Sequence, residues 1–443
     1  MLATVSDGDL ASVRSREFAR LDRVGLTYAD YTGAALYPES LIARHARYLS
    51  ENVLGNPHSD SGPSLASTAH VKAAKRRTLQ HLDADPALYD VVFTPNTSGA
   101  IRILAEAFPF DHGSRLVLTA DNHNSVNGLR VAALLRNGEV DYVPLSEQLV
   151  SEDPRARLQP ARAPSLFAFP AQSNFSGVQH PLTWITDAQA AGYRVLLDAA
   201  AYLPTHALSL TRHPADFVAL SFYKLFGYPT GVGALVARHD ALRMLRRKYF
   251  AGGTVDFVSV QNRLERARPG SDAFEDGTTN FLSLSAVIDG LDWLKGLGID
   301  HVRRHVESLA DQFRSGLASR PQRVLVYGPS AGDARSNVVV FNLKRRGQIV
   351  PYEAVEAAAR AQGIAVRGGC FCNPGAAERA FNVQADRARA CLQEPQFTIA
   401  RLRDHLGGGT VGAVRASFGV ANNLADVSRL LSFFCDDEIV NLT

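Results

Sequence analysis

Cysteine is scarce in this chain: four residues in 443, Cys370, Cys372, Cys391 and Cys435, too few and too C-terminal for a disulfide framework. An excess of charge of one sign is also missing. Lysine plus arginine number 47 against 44 acids, a formal net charge of +3, which excludes any charge-based argument for nucleic-acid or membrane-surface binding. No apolar run approaches the length of a membrane span. The first 25 residues carry acids and lack the apolar centre of a secretory signal, so a cytoplasmic, reducing location is expected. Internal repeats, low-complexity tracts and flexible linkers are absent as well. What remains is the composition of a soluble globular protein, 46% hydrophobic and 21% charged, long enough for two or three domains.

Apolar runs alternate with helical patterns from VVFTP (91–95) onward: RLVLTA, VDYVPL, SLFAFPA, YRVLLDA, DFVALSF and GALVA. That order predicts an α/β fold with a mainly parallel sheet covered on both faces. Helices are expected over 8–24, from Pro38 to 50, over roughly 64–83, and as a pair in 283–318. RVLVYG, NVVVFNL and AVRASFG read as strands of a smaller C-terminal α+β unit, and 151–164 as a solvated loop or helix edge without chemistry.

Lysine, too, is rare, with six in all, and one of them stands in DFVALSFYKLFGYPTGVGALVA (216–237). Lys224 lies between two apolar strands, where lost hydration disfavours the ammonium form. A partly neutral amine is a nucleophile toward carbonyls, as in a Schiff base with a substrate or with pyridoxal phosphate. The alternative is a lysine snorkelling from a strand end. Asp198, 26 residues earlier at the end of YRVLLD, favours the first reading. A carboxylate at the carboxyl end of a strand points into the ligand crevice of an open α/β sheet, and pyridoxal-phosphate enzymes need one to keep the ring nitrogen protonated.

With these residues the chain resembles the class V aminotransferase and cysteine desulfurase family, most of all the desulfurase-like domain of molybdenum-cofactor sulfurases. The resemblance is carried by ADYTGAALYP (29–38), GNPHS (55–59), FTPNTSGAIRILAEAFPF (93–110), FPAQSNFSGVQHPL (169–182), LLDAAAY (196–202), SFYKLFGYPTGVGALV (221–236), YFAGGTV (249–255), FEDGTTNFLSL (274–284), RGGCFCNPGA (367–376) and VRASFGVANN (414–423). It implies a fold-type-I pyridoxal-phosphate transferase with a seven-stranded, mainly parallel sheet in a large domain (38–300). Residues 1–37 and 301–443 would form the small domain. The eukaryotic sulfurases carry a further C-terminal domain, whereas this chain ends about 20 residues after VANN, so delivery to molybdenum cofactor does not follow.

The same resemblance assigns expected roles. Lys224 would bind pyridoxal 5'-phosphate covalently and move protons. Asp198 would hold the ring nitrogen, His123 would stack on the ring, and Asn174 would bond its phenolic oxygen. Thr97 and Ser98, at a helix start suited to an anion, would take the phosphate with Ser221 and Tyr223. Many desulfurases place a histidine at 223 and a glutamine at 201, where this chain has Tyr223 and Ala201. Thr278 would reach the phosphate of a partner subunit in a homodimer. Arg415 would grip the substrate carboxylate through its guanidinium fork, with Arg367, His58 and Asn337 as further substrate contacts.

Cys370 and Cys372 sit in RGGCFCNPGA, a glycine-rich stretch with neither helix nor strand pattern. A CxC metal site needs two further ligands, and no second CxC or CxxC exists, so no metal is expected. A reactive thiolate on a loop remains. In the family such a cysteine takes sulfur from the substrate, leaving alanine and an enzyme persulfide; alignment with the arginine–glycine–histidine–cysteine loop of one desulfurase group favours Cys372. The expected function is therefore a cysteine desulfurase-like sulfur transfer, from a small amino-acid substrate toward an acceptor that includes a sulfur-acceptor protein. A C–S lyase, a decarboxylating or deaminating enzyme, or an epimerase on the same scaffold is the alternative.

Overall fold

The computed structural model describes residues 10–330, 336–396, 398–405 and 410–435. Seven strands form the larger sheet, in the spatial order Tyr89–Thr94, Gly233–Arg238, Phe217–Ser221, Tyr193–Asp198, Ser165–Pro170, Arg115–Thr119, Glu139–Val143. Only Gly233–Arg238 runs antiparallel to its neighbours. Ser165–Pro170 and Phe217–Ser221 are buried at every residue, so their apolar character is continuous rather than alternating, as helices on both faces require. The smaller sheet is antiparallel, ordered Val324–Tyr327, Val338–Arg345, Ala413–Ser417, Arg367–Gly369, with Gln348–Ile349 paired to the edge of Val338–Arg345.

The expected helices fall at Leu10–Glu17 and Arg20–Arg23, Glu39–Glu51, Gly62–His81, and the pair Leu284–Leu297 and Ile299–Ala318; residues 8 and 9 lie outside the described residues. Pro38 is the extended residue that caps Glu39–Glu51 rather than its first turn. Lys224 is in a one-turn helix, Phe222–Phe226, between the two strands. Two expectations need correction. In the 151–164 stretch Ser151, Pro154 and Leu158 are buried, so it is more than a solvated loop. RGGCFCNPGA holds a short strand, Arg367–Gly369, and a helix, Pro374–Ala380, leaving only Cys370–Asn373 irregular. Pairing with Ala413–Ser417 overrides the weak strand preference of Gly-Gly.

The N-terminal segment joins the small sheet's side of the molecule. Thr27–Tyr28 pairs in parallel with Ile364–Ala365, and Asp30 bridges Ser417. Pattern reading missed a hairpin, Val255–Ser259 with Leu264–Ala267, whose two strands pair only with each other.

Candidate active site

A cavity of about 340 Å³ opens where several large-sheet strands end, lined by Pro95, Pro170, Asp198 and Ser221 at or just beyond those ends. Lys224, Tyr223, His123, Thr97, Ser98 and Asn174 line it too. Of the expected residues, then, all those meant to touch the cofactor within one subunit converge on one space.

Lys224 reaches it from the turn of helix that caps Phe217–Ser221. Gly227 ends that helix with φ 77°, and a Cβ there would lie 2.2 Å from the Tyr37 backbone nitrogen. Only glycine meets both demands. Burial pushes the Lys224 ammonium below its ordinary pKa; Asp198 opposes the shift, and Arg415 and Arg367 add to it. The amine is thus a better nucleophile than a surface lysine's. Asp198 is buried and accepts the Ala200 N–H at 3.0 Å, which fixes its carboxylate.

At the other end, Asn96 caps helix Thr97–Ala107 by accepting from Gly99 N–H at 2.9 Å. Ser221 Oγ accepts the Thr97 N–H at 2.8 Å and lies 2.7 Å from Thr97 Oγ1, tying that helix start to the strand before Lys224. Ser98 and Ser125 share a 2.6 Å hydroxyl contact. His123 Nδ1 accepts the Ser125 N–H at 3.1 Å, which places the neutral ring's proton on Nε2. Burial lowers the His123 pKa, with Asp198 opposing and Lys224 reinforcing, so the ring is held neutral. Burial also raises the Tyr223 pKa and keeps its phenol a donor.

Arg415 is 2% exposed and does not line the cavity. Its Nη1 donates to Asn174 O at 2.7 Å and its Nη2 to Asp30 at 3.1 Å, while Nε has no partner. Burial lowers its pKa to about 10, with Asp30 opposing. Arg367 grips the same Asp30 carboxylate, through Nε at 3.0 Å and Nη2 at 2.7 Å. Asp30 was missed; its only signal was a place in ADYTG, nearly 400 residues from Arg415. Removing one member of a buried pair leaves the other uncompensated. Asp30→Ala should accordingly cost about 3 kcal/mol of stability, read as a lowered urea midpoint at unchanged slope. A midpoint shift within experimental error would show that Arg415 needs no counter-charge.

Asn337 donates to Phe418 O at 2.7 Å and accepts weakly from Gln172 at 3.5 Å. It lines a smaller cavity on the other side of Lys224, shared with Ala201 and Tyr31. Gln172 and Thr230, two lining residues of the main cavity, were not anticipated. Both lie in segments that carry the family resemblance, 169–182 and 221–236, but neither was singled out there.

Two expected residues stand apart. His58 packs against Gly253, and Thr278 Oγ1 accepts from Asn56 at 3.2 Å; both are outside the Lys224 cavity of the same chain. The helix after Thr278 starts only at Leu284, behind a 3-10 turn Phe281–Ser283, so Thr278 does not cap it.

The cysteine turn closes over this region. Asn174 Nδ2 donates to Phe371 O at 2.7 Å, Asn124 N–H donates to Cys372 O at 2.8 Å, and the Arg415 guanidinium lies 4.7 Å from the Phe371 ring centre. Cys370 and Cys372 are both exposed thiols.

These residues fit pyridoxal phosphate. A hydration-poor amine suits its aldehyde, a buried carboxylate its ring nitrogen, a neutral imidazole its face, and hydroxyls at a capped helix start its phosphate.

Comparison with known proteins agrees with this geometry. The aminotransferase class-V family model matches residues 27–430. Human molybdenum cofactor sulfurase is 35% identical over 98% of this chain and 52% of its own length. The Arabidopsis thaliana sulfurase is 33% identical over 96% of this chain and 58% of its own. The chain thus spans about half the length of the curated relatives it matches. Among solved structures, apo cysteine desulfurase from Thermococcus onnurineus superposes with TM-score 0.79 at 23% identity, over 95% of this chain and 96% of that one. The cysteine desulfurase CsdA of Escherichia coli gives 0.77 at 24% identity, over 98% of each. The fold is therefore that of fold-type-I pyridoxal-phosphate enzymes.

Proposed function

The chain belongs to the aminotransferase class-V family, and from that we propose that it is a pyridoxal-phosphate-dependent cysteine desulfurase-like enzyme, moving sulfur from a cysteine-type substrate to Cys372 with release of alanine. The observation that carries this reading is the cysteine turn, hydrogen-bonded to Asn174 and Asn124 at the cavity that holds Lys224.

Pyridoxal phosphate, when bound, supplies an electron sink for charge developing on the substrate. Lys224 holds it, Asp198 keeps its ring nitrogen charged, and His123 covers its face. Thr97, Ser98, Ser221 and Tyr223 surround its phosphate. Arg415, buried behind the cavity lining and held by Asp30, would meet the substrate carboxylate through its unpaired Nε, with Arg367 and Asn337 at the edges of the site. Cys372 attacks as thiolate: its Sγ bonds to the substrate sulfur, the carbon–sulfur bond breaks, and the electron pair stays on carbon. Lys224 Nζ returns a proton to that carbon. Alanine leaves, Cys372 keeps the sulfur as a persulfide, and an acceptor thiol takes it in turn. Cytoplasmic reducing conditions suit four cysteines that are all free. Purified protein given cysteine should release alanine and, with added thiol, sulfide in equal amounts. A keto acid in place of alanine would reassign it as a C–S lyase.

The division into 38–300 and 1–37 plus 301–443 belongs to the same proposal. Supporting it, residues 27–30 pair with 364–365 and 417, and Ile299–Ala318 packs on Leu424–Cys435.

A homodimer completes the reading. A lone two-stranded hairpin is marginal in water, yet that of Val255–Ser259 with Leu264–Ala267 exposes Phe257 at 68% and Leu264 at 66% on its strands and Val260 at 86% in its turn. Gly277 N–H donates to Gly252 O at 2.9 Å, joining the segment before this hairpin to the Thr278 loop. A second copy covering the hairpin is the natural recipient of Thr278 and His58, which the Lys224 cavity of their own chain leaves unused. Sedimentation should show a dimer, and Phe257→Asp with Val260→Asp should yield an inactive monomer. A fully active monomer would remove the shared site.

A further inference from the structure

Phe371 and Cys372 both have left-handed backbones, with φ of 55° and 56°. Neither type tolerates that region well, because Cβ crowds the following carbonyl. Two such residues in succession persist only where their surroundings over-determine them. Here each strained residue has its carbonyl held from outside the turn, Phe371 O by Asn174 and Cys372 O by Asn124.

Asn373 closes the arrangement and is fully buried, at 0% exposure. Its N–H donates to Cys370 O at 3.0 Å. Its Nδ2 donates to Asp121 O at 2.6 Å and to Asn174 Oδ1 at 2.9 Å, one hydrogen for each. Its Oδ1 accepts from Ala376 N–H at 3.2 Å, capping helix Pro374–Ala380. One side chain therefore joins the residue after Cys372 to Asn174, which lines the cavity, and to Asp121, two residues before the cavity-lining His123. It also orients the Asn174 carboxamide: Oδ1 faces Asn373, one Nδ2 hydrogen goes to Phe371 O, and the second is left for the cavity.

We propose that Asn373 is a positioning residue that holds Cys372 in its left-handed turn and, through Asn174, couples that turn to occupancy of the cavity. The proposal rests on Cys372 being the sulfur-carrying thiol. A ligand that engages the remaining Asn174 hydrogen stiffens the carboxamide and, with it, the cysteine turn. By linkage the turn in its docked form favours the ligand equally. The bland alternative is that Asn373 merely caps the following helix.

Asn373→Asp separates the two. Aspartate keeps the capping oxygen but sets an acceptor against Asp121 O and Asn174 Oδ1, where the donors were. The measurement is the rate of Cys372 alkylation by iodoacetamide, read by mass spectrometry, in apoprotein and in protein loaded with pyridoxal phosphate, with Cys435 as internal control. In the wild type, loading should slow Cys372 about fivefold or more and leave Cys435 unchanged. In Asn373→Asp the loaded and apo rates should fall within about twofold of each other. A wild-type ratio retained in Asn373→Asp reduces Asn373 to a cap and overturns the proposal, as does a wild type with no ratio. Should the variant not fold, hydrogen exchange on the wild type decides: loading should deepen protection of Asn124 and Asn373 N–H, and unchanged protection sinks the coupling. Alanine release measured alongside keeps the two readings apart, because its absence with the alkylation ratio intact refutes the desulfurase reading alone.

Discussion

Lys224→Ala should abolish turnover and the covalent label together. Among the described residues Lys224 is the only lysine lining the cavity, and its surroundings disfavour the ammonium form. Borohydride reduction of the loaded wild type, followed by peptide mapping, should place a pyridoxyl label on Lys224 alone among the six lysines. Alanine truncation should lower the rate by about a thousandfold or more, since a positioned proton carrier alone supplies two to four orders of magnitude. Cofactor binding should weaken without vanishing, because the hydroxyls around Thr97 and the Asp198 carboxylate remain. The sign of the pH dependence follows from burial. Free amine accumulates as pH rises, and a lowered pKa moves that rise to lower pH than for an ordinary lysine. The rate at which apoprotein captures the aldehyde should show that earlier rise. Label on any other lysine, or turnover within tenfold of wild type in Lys224→Ala, would end the assignment.

Much of this site was legible because its residues sit at ends of elements with strong local patterns. VLLD, FVALSF and FTPNTSG are buried strands followed by a charge, a lysine or a capped helix, and their shortness and flanking turn signals mark such apolar runs as strands. Asp30 was hidden for the opposite reason. It pairs with Arg367 and Arg415 across more than 300 residues, and nothing local in ADYTG distinguishes it. Asn373 was not singled out at all, and its tie to Asp121 and Asn174 exists only once the two sheets meet. Thr278 could not be placed from local pattern alone: FEDGTTNFLSL does lead into a helix, but a 3-10 turn delays its start to Leu284.

Cys372→Ala should abolish alanine and sulfide release while leaving the visible spectrum of the loaded protein unchanged. Geometry, not sequence spacing, now argues for this thiol over Cys370. Cys372 O is held by Asn124 N–H, one residue from His123, and the Cys372 side chain acts electrostatically on both Lys224 and Arg415. Cys370 instead lies before the strained pair, and its electrostatic neighbour is Tyr352, on a helix of the small-sheet side. A thiol that accepts sulfur must reach the substrate between Lys224 and Arg415, and only Cys372 shares their surroundings. Loss of a nucleophile that forms a covalent intermediate leaves no bypass, so the effect should reach about a thousandfold or more. Cys370→Ala should change the rate by less than about threefold, as befits an exposed residue outside the reacting group. Mass spectrometry after brief exposure to cysteine should find the added sulfur on the peptide bearing Cys372, and Cys370→Ala should retain it. If both single variants turn over like wild type, no cysteine carries sulfur, and the cavity serves a lyase or an epimerase.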